Sequence, residues 1–536
     1  MENPEQSRDK QSEIPKELRE VSALINNGKY QDALRRLTDY ENNNLASGNL
    51  QLSKPSLLVD IGLGLKNPGL IQSAIDQNEN NLLGPLGQKH NTIIHYNLAN
   101  AYLSLFDLTE RSKDNVATIL QSENLQKAKG HFRQALLATD YPNRNSRIQI
   151  LVNYGNCLDT LGRGVEALYA YNSALRIDKT FSMAIGNKAK ALSRFADISG
   201  KYREAVHVEA YQAINSIINN RDLIDFGGMA AKYAFERELK YIESRFKDKA
   251  DLHRQLNHPP YDTTDLSKFV RFYLQYCSKE KLFLNFHIHD DQCEAALVDP
   301  IFIRALMGVG DKDPFAAFYK YAKYINQIKE DYAVARLLLV QAQYKREDFD
   351  RISQRTTFVY CLDYSQFTLY IGLLKSAFKD AYNILDKIAV FINDYHGLGL
   401  DEEKIGFVST RDARSVWLRA GNIRKEILAS KNISLYALYD IFQDFKFGHY
   451  DKIKDIRHAL THRKLVIFDS VIADHDDKEN KQNIGYDSML EITADLLRMV
   501  KSAIIYLINF VNSEEDKKRN VGNGEFSIPL DTTQFL

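Results

Sequence analysis

Eleven prolines in 536 residues, with apolar residues recurring every three or four positions from end to end, constrain this chain to helix more than anything else in it. Proline removes a backbone donor and clashes with the preceding turn, so its scarcity leaves long stretches free to run as helix. The expected class is all-α. A chain of this length exceeds what one hydrophobic core organises, so several domains in series are expected. The composition, 44% hydrophobic and 26% charged, is that of folded globular protein rather than disordered chain. Lys plus Arg number 70 and Asp plus Glu 70, so global charge points to no partner and any nucleic-acid surface must be local. The longest apolar runs, 333–340 and 503–511, are too short to cross a bilayer and contain Arg336 and Asn509. The first twenty residues lack the apolar stretch of a secretory signal. Cys157, Cys277, Cys293 and Cys361 are scattered as reduced thiols usually are, so the expected location is cytoplasmic.

Composition and periodicity divide the chain into five parts. Residues 1–18 are polar and expected to be disordered. Residues 19–225 repeat a helical-hairpin grammar. It is fullest at Asn153-Tyr154-Gly155-Asn156-Cys157-Leu158, followed by Leu161-Gly162, Glu166-Ala167, Tyr171 and Ala174. Small residues (Gly155, Ala167, Ala174) stand where two helices would touch, and larger ones (Tyr154, Leu158, Tyr171) between them. A neighbour before it carries Leu98, Ala99, Tyr102, Ala128, Phe132 and Ala135, and one after it Ala189, Leu192 and Ala205. A shorter trace is Gly28 to Leu34. The pattern resembles a tetratricopeptide repeat, although Lys179 stands where the usual terminal proline would. The resemblance implies a TPR-like solenoid in which each hairpin buries its face against the next. The stretch 103–127 reads as an insertion at a turn, long enough to reach a partner. Residues 226–310 form a connecting region in which 282–289 alternates as a short extended segment would. Residues 311–515 carry long amphipathic helices near 313–347, 365–396, 411–428, 433–463 (broken near Gly448) and 486–512, the makings of a helical bundle. Residues 516–536 are a tail.

The chemistry is concentrated in Asp451–Lys464, DKIKDIRHALTHRK. Ile453, Ile456 and Leu460 form an apolar stripe for the core. At 100° per residue, Arg457 and Thr461 fall to one side of it, and His458 and His462 nearly opposite. Between 446 and 464 there are six basic residues against two acidic ones, enough to attract a phosphodiester backbone. An arginine, a polar residue, three further residues and a histidine, late in a helical bundle, resemble the signature of HEPN domains. The match here is Arg457, His458, Ala459-Leu460-Thr461 and His462. The family more often has Asn where His458 stands.

The resemblance spans about 310–515. It implies a metal-independent endoribonuclease, working as a homodimer in which two motif helices share a groove. The nucleophile would be the RNA's own 2′-hydroxyl. His462 would act as acid and base, and Arg457 would clamp the phosphate as charge builds on it. His458 and Thr461 would support them, while Lys452, Lys454, Arg463 and Lys464 would bind phosphates. No cofactor or metal is called for. HEPN modules behind TPR-like helices resemble bacterial toxins and antiphage defence effectors, so the repeats would sense a protein or peptide and gate the nuclease. No membrane partner is expected.

Four alternatives stand beside this reading. The basic stretch could be a solvated helix face with no function, and the bundle could bind RNA or nucleotide without cutting it. His458 and His462, four apart, could grip zinc, but no adjacent glutamate or third ligand accompanies them. Cys277, His287, His289 and Cys293 could hold zinc too, on a spacing that fits no established pattern. No Walker, GxGxxG or GxSxG motif is present to suggest another chemistry. Trp417, at helical spacing from Val416 and Ala420, is expected in a core or interface.

Overall fold

The computed structural model describes residues 15–521 and 527–529, apart from 45–47, 113–115, 139–140, 142–143, 255, 257–259, 287–292, 308–313, 360, 362 and 470–482. These residues are predominantly helical, with a few strands of two or three residues. The class is therefore all-α, as the periodicity predicts. The chain divides into two compact units, residues 1–188 with 216–237, and residues 189–215 with 238–536. Of the segment expected to be disordered, 1–14 lies outside the described residues, and from Lys16 the chain is already helical.

The N-terminal unit is a succession of helical hairpins. Lys16–Asn26 pairs with Tyr30–Asn43, Gly48–Gly64 with Pro68–Leu83, Asn91–Thr109 with Glu123–Leu137, and Arg144–Thr160 with Gly164–Ile177. Each pair packs on the next. The turns at Gly28 and Gly162 hold φ of 72° and 81°, a region glycine enters without steric cost. The small-residue grammar has a direct cause at Gly155, where a Cβ would lie 2.4 Å from the Tyr171 ring. Ala167, Ala174, Ala128 and Ala135 are fully buried at the corresponding contacts.

The expected insertion at 103–127 is not a free arm. The first helix runs on to Thr109, Thr118–Gln121 forms a further turn of helix, and the next helix begins at Glu123, where the Ser122 hydroxyl accepts from Leu125 N at 3.0 Å. Arg111 ties what remains of it down through Thr160 Oγ1 at 3.1 Å and an ion pair with Asp107 at 2.9 Å.

In the C-terminal unit, the helices Pro314–Gln341, Leu369–Tyr395, Ile433–Lys446, Asp451–His462 and Tyr486–Val521 form the bundle. Leu369–Tyr395 touches all four of the others, reaching Ile433–Lys446 through the Tyr382 ring against Phe445. Ile433–Lys446 is buried on every side from Ser434 to Phe445, and its Asn432 cap accepts from Ser434 N and Leu435 N. Gly448, with φ of 84°, breaks the chain where the sequence predicts.

Two expectations fail here. The helix expected at 411–428 is a turn-rich segment with a hairpin, Leu418–Arg419 against Asn422–Ile423, and only Lys425–Ser430 is helical. Ala420 and Gly421 both hold positive φ, the conformation of a tight hairpin turn. Arg424 then donates to the Ser415 and Asp412 carbonyls and satisfies the irregular backbone. Trp417 is in the core as expected, donating from Nε1 to Phe407 O at 2.8 Å, though not on a helix. Residues 282–286 are not extended strand but a series of bends, with Leu282, Phe283, Leu284 and Phe286 all buried. The apparent alternation came from aromatic anchors in an irregular segment. His287 and His289 lie outside the described residues, and Cys277 and Cys293 are buried free thiols.

That irregular segment is bolted to the bundle by buried charge. Arg336 donates bidentately to Asp299 at 3.0 and 2.8 Å, and also to Leu282 O and Tyr273 Oη. Lys329 donates to Ile301 O at 2.8 Å, and Tyr332 to Leu282 O at 2.8 Å. Burial pushes the Asp299 carboxyl up, but the charge and hydrogen bonds of Arg336 outweigh it and leave the carboxyl below its usual range.

Lys501 donates to Lys281 O at 3.1 Å, and burial lowers its ammonium to about 7. An unfolded chain holds that proton up to about pH 10.4. The unfolded state therefore binds more protons between pH 7 and 10, and stability must rise with pH across that window. Raising the pH from 7 to 9 is expected to add roughly 2 kcal/mol from this group, less what opposing groups remove. Urea midpoints for the parent and Lys501→Met would test this, and an identical pH dependence in both would remove Lys501 as the cause.

Candidate active site

The motif helix Asp451–His462 is placed by its buried face. Ile453, Ile456 and Ala459 are buried, while Leu460 is only half-buried, so the stripe turns slightly from the one expected. Ala459 lets the helix sit close, and the bulkier Leu460 rides at the edge. His458, Thr461, His462, Arg463 and Lys464 are exposed and Arg457 is half-buried. The chain then leaves the helix directly into the strand Val466–Phe468, which is antiparallel to Ser365–Gln366 and parallel to Asn483–Gly485. Lys375 donates to Leu465 O at 2.7 Å across this exit. The end of the motif helix is thus anchored by a sheet.

Arg457 and His462 are five residues apart on a rigid helix, both reaching solvent. The imidazoles of His458 and His462 lie 5.3 Å apart between ring centres. Thr461 Oγ1 is committed to Arg457 O at 2.8 Å, which makes it a helix-backbone partner. Lys454 departs from its expected role. It is half-buried, pairs with Asp451 at 2.5 Å and donates to Phe445 O at 2.9 Å, closing the turn between the two helices. Lys452, Arg463 and Lys464 remain at the surface as expected.

Nothing in the motif itself points to the neighbours that hold Arg457. Its guanidinium lies 5.1 Å over the Tyr382 ring and 3.8 Å from Asp386 Oδ2. Both come from Leu369–Tyr395, four residues apart and so on one helix face. Asp386 is itself fixed by accepting from Phe407 N at 2.9 Å. Burial raises the Asp386 carboxyl, and the Phe407 hydrogen bond and Arg457 charge pull it partly back. Burial raises the Tyr382 hydroxyl as well, and the Asp386 charge adds to that. A pair distant by some seventy residues has no local signal, which is why only the motif could be read from sequence.

The apolar side chains of Tyr486–Val521, such as Leu496, Leu497, Ile504, Ile505 and Leu507, are buried within the unit's own core. Among the described residues, exposed apolar side chains include Phe447, just before the motif helix, and Phe367, across the sheet at its exit.

Residues 316–514 match the sequence model of the family described as LA2681-like HEPN. The C-terminal helical bundle is thereby supported as a HEPN domain, and the motif helix lies inside the matched range. No curated protein and no solved structure gave a match to the chain. Among the described residues, no helix is long and apolar enough to cross a membrane.

Proposed function

We propose that the chain is a metal-independent endoribonuclease of the HEPN type, with Arg457 and His462 as its catalytic pair. What carries this reading is one observation: a guanidinium and an imidazole five residues apart on the outward face of a helix, whose inner face and C-terminal exit are both fixed. A side chain held this way keeps its geometry while charge moves, as transition-state stabilisation requires. The RNA 2′-hydroxyl attacks the adjacent phosphorus. His462 takes the hydroxyl proton or protonates the departing 5′-oxygen, and Arg457 binds the phosphate oxygens. A second motif helix from a partner copy would complete the groove and supply the other half of the acid–base work. His458 orients the pair, and Lys452, Arg463 and Lys464 hold flanking phosphates. Cleavage of RNA by purified protein in EDTA tests the reading, and cleavage of matched DNA, or an absolute need for Mg²⁺, would sink it.

On this reading the N-terminal hairpins form a TPR-like array that restrains the nuclease, as suits a toxin or antiphage effector in a bacterial cell. A chain of residues 182–536 keeps everything in the C-terminal unit, including Phe195, which stacks on Phe286 at 4.8 Å between ring centres. It is expected to cut RNA several-fold faster than the full chain, or to be more toxic on expression. A folded, dimeric 182–536 that cuts more slowly would instead make the array part of substrate binding.

A further inference from the structure

The segment 354–368, between the helices Arg346–Ser353 and Leu369–Tyr395, leaves large apolar side chains in water. Phe358 is 47% exposed, Tyr364 62% and Phe367 42%. Phe358 and Phe367 lie 6.4 Å apart between ring centres with planes 25° from parallel. Tyr364 holds φ of 61°, a left-handed backbone that a bulky residue keeps only under constraint. The constraint is visible. Asp363 accepts from Ser365 N at 3.1 Å and from Ser365 Oγ at 2.6 Å. Tyr364 O accepts from Asp469 N at 3.4 Å, and Gln366 donates to Asp469 at 3.1 Å. The ring is therefore presented to solvent by a built turn.

The same pairing fixes where it is presented. Gln366 stands opposite Ile467, which puts Phe367 beside Val466, four residues beyond His462. Four extended residues reach at most about 14 Å, and paired strands lie about 5 Å apart. Phe367 thus stays within roughly 20 Å of the His462 backbone. Lys464 is near enough to Asp363 to add to the two Ser365 hydrogen bonds that hold its carboxyl low. Arg355, Arg463 and Lys464 are exposed, while Asp363 and Asp469 are engaged in the turn.

We propose that Phe358 and Phe367, with Tyr364 three residues earlier on the same turn, form a stacking platform for unpaired bases of single-stranded RNA, whose phosphates meet Arg463 and Lys464 on the way to His462. The proposal rests on the ribonuclease reading and adds a substrate class to it. Aromatic faces beside cations are how single-stranded nucleic acid is held without sequence readout. A base locked in a duplex cannot reach such a face, so the site selects unpaired RNA. A second copy of the chain fits less well. A few side chains fall short of the roughly 800 Å² that a stable partner covers, and a symmetric contact would gather both copies' cations into one interface.

The test uses the full chain carrying His462→Ala, and a short labelled single-stranded oligoribonucleotide followed by fluorescence anisotropy. Tyr364→Asn, which tolerates the left-handed backbone, and Phe367→Ser should each weaken binding roughly tenfold. Tyr364→Trp should bind like the parent, and the same oligomer in a duplex should bind poorly. The aromatic variants should leave the salt dependence unchanged, whereas Lys464→Ala should reduce its slope by about 0.7. Phe358→Ser, outside the strand and turn, serves if a strand variant fails to fold. Unchanged affinity in folded aromatic variants overturns the platform, as does a dimer-to-monomer shift in those variants with RNA affinity intact. If the parent binds no RNA, the ribonuclease reading falls and the platform with it. If it binds RNA and the aromatic variants match it, the platform alone falls.

Discussion

Replacing His462 by alanine is expected to lower RNA cleavage at least about a hundredfold, the usual worth of a positioned general acid or base, with the melting temperature unchanged. The imidazole is exposed, so its removal opens no cavity and strands no buried partner. Arg457→Ala should cost a similar factor, because phosphate charge then builds without its clamp. Asp386→Asn should fall between these and the parent. It keeps an oxygen for Phe407 N and removes only the charge beside the guanidinium. His458→Asn, which installs the residue commoner in the family, should be tolerated. Cleavage of a labelled oligoribonucleotide in EDTA measures all four, and products ending in 2′,3′-cyclic phosphate would mark the 2′-hydroxyl as nucleophile. Parent-level cutting by His462→Ala would remove it from the mechanism.

The largest effect on stability is expected at Asp299. Its carboxylate is the charge partner of Arg336, whose side chain is only 4% exposed. Asp299→Asn leaves that guanidinium in the core with neutral acceptors alone. Removing one member of a buried pair typically costs about 3–5 kcal/mol, or a fall in melting temperature on the order of 10 °C for a unit of this size. Adding Arg336→Met should return part of the loss, because the stranded charge leaves with it. Calorimetry on the single and double variants decides the matter. A single variant that melts within a degree or two of the parent would mean the segment around 277–301 is held by its apolar contacts instead.

How much of this was legible in the sequence follows from the range of each interaction. Gly155 and Tyr171 belong to one hairpin, and their contact could be read from spacing because the packing is local. The bundle helices were legible for the same reason, but the helix expected at 411–428 does not form. There, periodic apolar residues serve a hairpin whose turn needs positive φ at Ala420, a residue that gives no warning of it. At the site, the outward face of the motif helix followed from its apolar stripe. The Asp386 and Tyr382 contacts to Arg457 did not, because they depend on how two distant helices cross. Lys454 looked like a phosphate ligand because charge in a sequence does not reveal that its ammonium is already spent on Phe445 O.

Trp417 is the only tryptophan in the chain, fully buried against Phe407, Tyr439 and Phe442 in the C-terminal unit. The protein therefore carries a single optical label that reports on one of its two halves. Circular dichroism sums helix over both units, whereas tryptophan emission reddens only when the bundle around residue 417 opens to water. Overlaying the two signals along a denaturant series separates the melting of the hairpin array from that of the domain bearing the motif. Loss of ellipticity before any change in emission would place the weaker half of the molecule at its N-terminal side.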